Sequence, residues 1–230
     1  MRAIRSDSFS ESNSVGANHA ENQDTLVEDP EKLIFAVADG VGGYSGAKIA
    51  SSIAIEVLES NALRIVDEDS FRDVITTAHR AVQEKASELG FANMGTTLAA
   101  AKVLREDDST IVLSANVGDS PILLFSGGTV KPVYVDDSHR SRDPRAMFGI
   151  TQYLGLDLDL DIHVVKVNCR EGDILLLCSD GITDNLVRGF DEYGELSKLM
   201  LNHPSAERIV KKALQIGLKP DDMTAVLIFF

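Results

Sequence analysis

Short apolar blocks, each closed by a polar turn, set the rhythm of this chain. The segments KLIFAVA (32–38), TTLAAAKVL (96–104), STIVLSANV (109–117), PILLFS (121–126), TVKPVYV (129–135), IHVVKV (162–167), DILLLC (173–178) and TAVLIFF (224–230) predict β-strands. Gly127-Gly128 separates two of them by two residues, a tight-hairpin signal, and Asp107-Asp108 reads as a turn. From Phe71, apolar residues at 74, 75, 78, 82 and 89 recur at helical spacing, with Ser70 and Asp73 as a capping box in front. A second helix is predicted over 46–60, and Ile209, Val210, Ala213 and Leu214 mark a third after Pro204. LGLDLDLDIH (154–163) alternates strictly, which predicts a half-buried strand with a wet face and not a calcium loop. Two helices are followed by a run of strands, with no βαβα alternation. That order predicts an α+β fold, an αββα four-layer sandwich of two antiparallel β-sheets flanked by helices, in a single domain over 1–230.

Composition narrows the class only a little. The chain has 230 residues, 44% hydrophobic and 25% charged, as expected for a globular domain. A formal charge of −14 argues against a nucleic-acid or anionic-membrane partner, since both require positive potential. No apolar run approaches the ~18 residues of a membrane span, and the polar N-terminus has no signal-peptide core. The two cysteines, Cys169 and Cys178, lack CxxC spacing, and Cys178 reads as a core residue. A cytoplasmic monomer is the expectation.

The candidate chemistry lies where apolar blocks stop at aspartate. In LIFAVADGVGGYSG (33–46), Asp39 opens a glycine-rich turn. The dinucleotide fingerprint fails because Ser45 stands where a third glycine is needed, and the P-loop fails because Ala47 precedes Lys48. Asp39 has counterparts instead: Asp180 after DILLLC, Asp119 in the turn of NVGDSP, and Asp221-Asp222 before the final strand. Asp24, in ENQDTLVED, precedes the first of the predicted strands. One such carboxylate is usually a turn former. Several beside core strands would repel one another unless a cation neutralised them. None of the 5 histidines falls in an HExxH or HxxxH pattern, so the ligand set is all oxygen, which selects Mg²⁺ or Mn²⁺. Two such ions ~3.5–4 Å apart can activate a bridging water against a phosphoryl group.

NQD (22–24), DGVGG (39–43), GTT (95–97), NVGDS (116–120), SDG (179–181) and DDMTAVLI (221–228) occur in an order and spacing that resemble the type-2C metal-dependent serine/threonine protein phosphatases, in their compact bacterial and archaeal form. The resemblance spans nearly the whole chain. It implies a phosphatase acting on phosphoserine and phosphothreonine in proteins, in which a hydroxide bridging two Mn²⁺ or Mg²⁺ ions attacks phosphorus without a phosphoenzyme. By the same resemblance Asp39 bridges both metals and Gly40 offers its backbone carbonyl. Asp180 and Asp221 complete the dinuclear pair and share the catalytic role with Asp39. Asp119, with Asp180, holds a weaker third metal, and Gln23-Asp24 match an acidic pair near the site, with Asp24 counted among the metal residues. Gln23 stands where many members carry glutamate, so its contact would run through water.

Departures from the pattern matter for substrate binding. His19 occupies the position of an arginine that clamps phosphate, leaving open a weaker phosphate contact or a plain turn histidine. Arg140, Arg142 and Arg145 cluster where the family carries a variable flap, here 138–161; they read either as a solvated loop or as a compensating phosphopeptide contact. Val41 replaces the general-acid histidine of some eukaryotic relatives. Asp222 replaces a common asparagine, and stands either behind Asp221 or in its place as ligand. Rival readings are a catalytically silent phosphoprotein-binding relative and a phosphatase dedicated to one regulatory partner, such as an anti-sigma antagonist. A metal-dependent nucleotide hydrolase is disfavoured by the failed P-loop.

Overall fold

The computed structural model describes residues 4–12, 21–41, 46–106, 109–139, 149–187 and 193–230. The expected Asp107-Asp108 turn and glycines 42 and 43 lie outside these residues. Two five-stranded antiparallel sheets stack face to face. One orders β1 (Arg5–Ser12), β12 (Asp222–Phe229), β11 (Ile174–Cys178), β6 (Ile122–Ser126) and β7 (Thr129–Pro132). The other orders β10 (His163–Cys169), β5 (Ser109–Val117), β4 (Leu98–Glu106), β3 (Ile34–Ala38) and β2 (Thr25–Asp29). Helices α1 (Ala47–Ser60) and α2 (Glu68–Leu89) cover the second sheet, while α3 (Asp180–Leu186), α4 (Gly194–Leu201) and α5 (Ala206–Ile216) cover the first. This is the αββα sandwich expected from the sequence.

Alternation along the strands builds three separate apolar layers. On β3, Phe35 and Val37 face the opposite sheet, while Ile34, Ala36 and Ala38 face α1 and α2. On β11, Leu175 and Leu177 point between the sheets, and Ile174, Leu176 and Cys178 point toward α3 to α5. Both faces are covered, so the blocks read as continuous apolar runs. Gly127 and Gly128, at φ of 59° and 85°, form the two-residue turn that pairs Ser126 with Thr129. A small ribbon of β8 (Ser138–His139) and β9 (Gly149–Ile150) stands apart from both sheets.

Several expectations need correction. The capping box of α2 is formed by Asp67 and Ser70, not Ser70 and Asp73; Asp67 accepts from the Ser70 amide at 2.8 Å. Residues 155–162 are not a strand. Two of their backbone groups bond side chains of α2 instead: Gly155 N–H donates to His79 Nδ1 at 3.1 Å, and Gln83 Nε2 donates to the Leu156 carbonyl at 2.7 Å. β1 was hidden because RSDSFSES is an exposed edge with one aromatic, Phe9, turned inward. α3 was hidden because seven residues carry only Ile182 and Leu186 as apolar signals. No helix among the described residues is long and apolar enough to cross a membrane.

Candidate metal centre

The strand pairings bring the aspartates to one end of the sandwich. Thr25 pairs with Ala38, so Asp24 enters β2 beside the exit of β3 at Asp39. Cys178 pairs with Ala225 and the Ser179 amide donates to the Thr224 carbonyl at 3.1 Å, which sets Asp180 beside the start of β12. Leu98 pairs with Val117, so the β5–β6 turn carrying Asp119 meets the GTT segment at the head of β4.

The GTT segment holds Asp39 by its backbone. The Asp39 carbonyl accepts from Thr97 N–H and from Thr96 Oγ1, both at 2.8 Å, and the Asp39 amide donates to Thr97 Oγ1 at 3.1 Å. Thr97 Oγ1 lies 2.6 Å from Ser120 Oγ, linking this clamp to the turn of Asp119. Gly40 has no room for a side chain: a Cβ there would lie 2.7 Å from the Ala47 carbonyl carbon. Gly181 is tighter still, with a Cβ falling 2.3 Å from the Asp222 carbonyl oxygen. The glycines therefore bring backbone against backbone, as α1 and α3 start directly behind the two aspartates.

The NQD segment is tied down on both sides. Gln23 N–H donates to Asp222 Oδ2 at 2.7 Å, its carbonyl accepts from Ser51 Oγ at 2.7 Å, and Asn22 Oδ1 accepts from the Asp24 amide at 2.9 Å. Asp222 is thereby committed to holding this segment against β12, 2% exposed. Asp24 is 4% exposed; its Oδ2 accepts from Ser179 Oγ at 2.8 Å, while its Oδ1 is buried without a hydrogen-bond partner. A buried carboxylate oxygen with nothing to bind is costly unless a cation serves it.

Electrostatics mark the same place. Burial, with the charges of Asp222 and Asp221 added, raises the Asp24 carboxyl from 3.8 to about 7 despite hydrogen bonds from Thr224 and Ser179. Burial followed by Asp24, Asp180, Asp221 and Asp119 pushes Asp39 well above the ordinary carboxylate range. Asp180 rises to about 7 through burial and its acidic neighbours, against the pull of Lys219. Burial also raises Asp119. Among the described residues no three acidic, histidine or cysteine side chains are drawn together around one ion-sized point. Asp180 and Asp221 lean instead on an ammonium that they share with a third carboxylate: Lys219 Nζ lies 2.6 Å from Asp180 Oδ2, 3.2 Å from Asp221 Oδ2 and 2.8 Å from Asp184 Oδ2.

A cleft of about 630 Å³ opens over this group, lined by Asp119, Asp180, Asp184, Lys219 and, from the β8–β9 ribbon, Ser138 and Ile150. A groove of similar size, about 670 Å³, runs between α2 and residues 157–162, away from the carboxylates. His19, Arg140, Arg142 and Arg145 lie outside the described residues. Sequence reasoning missed Lys219, Asp184, Ser179 and the two threonines as chemistry. Asp184 was legible only after α3 is known to be a helix, where it falls one turn beyond Asp180.

The sequence profile of a family described as protein phosphatase 2C matches residues 14–219. The chain belongs to that family. Among curated relatives of this 2C-type chain, the serine/threonine phosphatase stp of Listeria innocua is 28% identical over 239 residues, covering 92% of this chain and 90% of that protein. Among solved structures, PppA, described as a key regulatory component of T6SS in Pseudomonas aeruginosa, superposes with a TM-score of 0.78 at 26% identity, over 99% of this chain and 98% of its own. The PPM Ser-Thr phosphatase MsPP of Mycobacterium smegmatis, solved with cacodylate, superposes at 0.79 with 24% identity, over 98% of each chain.

Proposed function

We propose that this 2C-family chain is a divalent-metal-dependent phosphoprotein phosphatase that hydrolyses phosphoserine and phosphothreonine. The observation that carries it is the acidic group gathered at one end of the sandwich, with Asp24 buried and the half-buried Asp39 held well above the ordinary carboxylate range by burial and by its acidic neighbours. The donor set fits Mn²⁺ or Mg²⁺: it is all carboxylate and carbonyl oxygen, and Asp24 Oδ1 lacks any protein donor. In this reading Asp39, the Gly40 carbonyl, Asp180 and Asp221 would hold two ions, and Asp119 with Asp180 would serve a third, with Asp24 beside them. When bound, the ions supply an activated water at neutral pH and neutralise charge on the phosphoryl oxygens.

The rest of the work is positioning, which dominates phosphoryl-transfer catalysis. Thr96 and Thr97 fix the backbone of Asp39, and Ser179 fixes the rotamer of Asp24. The β8–β9 ribbon borders the cleft and leads into the segment bearing Arg140, Arg142 and Arg145. Those arginines, with His19, are the candidates for holding the phosphopeptide. The deciding experiment measures phosphate release from a phosphopeptide with Mn²⁺, Mg²⁺ or chelator, for wild type and Asp180→Asn. Metal-dependent turnover in the wild type that falls at least ~100-fold in Asp180→Asn supports the reading. Phosphopeptide binding without turnover in any metal would replace it with a silent binding protein.

A further inference from the structure

Lys219 carries the inference, which rests on the metal-site reading above. Its ammonium contacts Asp180 and Asp221, both proposed metal ligands, and Asp184, which is not one. Asp221 has little left to offer while this contact stands: its Oδ1 accepts from the Asp222 amide at 3.0 Å and its Oδ2 faces the ammonium. Burial disfavours the charge on Lys219, but the surrounding carboxylates outweigh it and hold the ammonium pKa above its ordinary value.

The lysine is placed by its own backbone. Asn185, fully buried on α3, takes the Lys219 amide on Oδ1 and gives Nδ2 to the Lys219 carbonyl, both at 3.1 Å. The same Oδ1 accepts from the Leu218 amide at 2.6 Å, and Pro220 follows directly. Backbone position is thus fixed by the same short helix that bears Asp180 and Asp184. Only the side chain is free to choose among carboxylates.

We propose that Lys219 is a built-in competitor for the metal site. Its ammonium shares Asp180 and Asp221 with the divalent ion and withdraws onto Asp184 when that ion is loaded. The chain's affinity for metal is therefore lower than its carboxylates alone would set. Competition of this kind is a coupling between two cations at shared ligands, and such couplings commonly reach 5–150-fold in affinity.

The test is calorimetric titration of Mn²⁺ into the metal-stripped full chain, for wild type, Lys219→Met, Lys219→Gln, Lys219→Arg and Asp184→Asn. Both neutral variants should bind at least about tenfold tighter than wild type, and Lys219→Arg should stay within about threefold. Asp184→Asn removes the lysine's alternative partner and should weaken binding; that loss should shrink when combined with Lys219→Met. Melting in chelator and in excess Mn²⁺ supplies a second readout. The gap between the two conditions should widen in Lys219→Met, because carboxylate repulsion loses its internal counter-ion. Equal or weaker Mn²⁺ binding in both neutral variants overturns the proposal and leaves Lys219 a structural ion pair. Absence of Mn²⁺ binding in every protein, wild type included, sinks instead the metal-site reading beneath it.

Discussion

Replacing Asp24 with asparagine should stabilise the metal-stripped protein at neutral pH. The side chain is 4% exposed, and asparagine can keep the 2.8 Å bond from Ser179 Oγ. In the folded state the Asp24 carboxyl titrates at about 7, against 3.8 ordinarily. A raised folded-state pKa contributes stability in full below about pH 4 and loses it as pH climbs through 7, because the unfolded chain ionises first. The difference is roughly three pH units at about 1.4 kcal/mol each, or on the order of 4 kcal/mol. That is a large part of the ~5–15 kcal/mol that holds a typical domain together. Asp39 adds to the same trend, since after burial Asp24 is the largest charge acting on it. The assay is urea unfolding of wild type and Asp24→Asn in chelator from pH 4.5 to 7.5. The variant should lie within about 1 kcal/mol of wild type near pH 4.5 and gain on it steadily, with the advantage abolished by saturating Mn²⁺. Parallel stability curves across that window, or a wild type that gains on the variant as pH rises, would refute the account of Asp24 as an uncompensated buried carboxyl.

Further outcomes follow from the same geometry. Gly181→Ala places a Cβ 2.3 Å from the Asp222 carbonyl oxygen, so it should cost about 1–3 kcal/mol of stability, read as a lower Tm in chelator and in Mn²⁺ alike; an unchanged Tm would show that α3 moves freely away from β12. Asp180→Asn should lose phosphate release at least ~100-fold while its Tm in chelator does not fall, which separates loss of a ligand from loss of fold. Replacing Arg140, Arg142 and Arg145 together with alanine should raise KM for a phosphopeptide more than for a small aryl phosphate; equal responses would place the arginines away from the peptide.

The layers of the sandwich were legible because burial on both faces writes itself into composition. Strands such as IFAVA and ILLLC are apolar at every position, and each remains 0–7% exposed in the fold. The elements that escaped notice are those whose stability comes from neighbours. RSDSFSES becomes a strand by pairing along all of β12, and DGITDNL becomes a helix because Asn185 anchors it to residues 218 and 219. The LDLDL segment misled for the converse reason: it has a strand's pattern, but His79 and Gln83 on α2 take up backbone groups that a strand partner would have needed.

In the candidate site, the aspartates were legible and the groups that steer them were not. An aspartate closing an apolar run is conspicuous, because burial makes its charge expensive. A threonine, serine or lysine near such a turn is unremarkable until pairing register shows what it touches. Thr97 reaches Asp39 from 58 positions away, Ser179 reaches Asp24 from 155, and Lys219 reaches Asp180 from 39. Those contacts decide how the carboxylates behave. Among the described residues no ammonium or guanidinium pairs with the carboxyl of Asp24 or Asp39, the inner pair, Lys48 reaching only the Asp24 backbone carbonyl, whereas Asp180 and Asp221 already share the Lys219 ammonium. Cation demand is therefore greatest at the inner carboxylates and partly met at the outer ones. Affinity for metal in this chain depends on how far Lys219 yields as much as on the number of acidic residues.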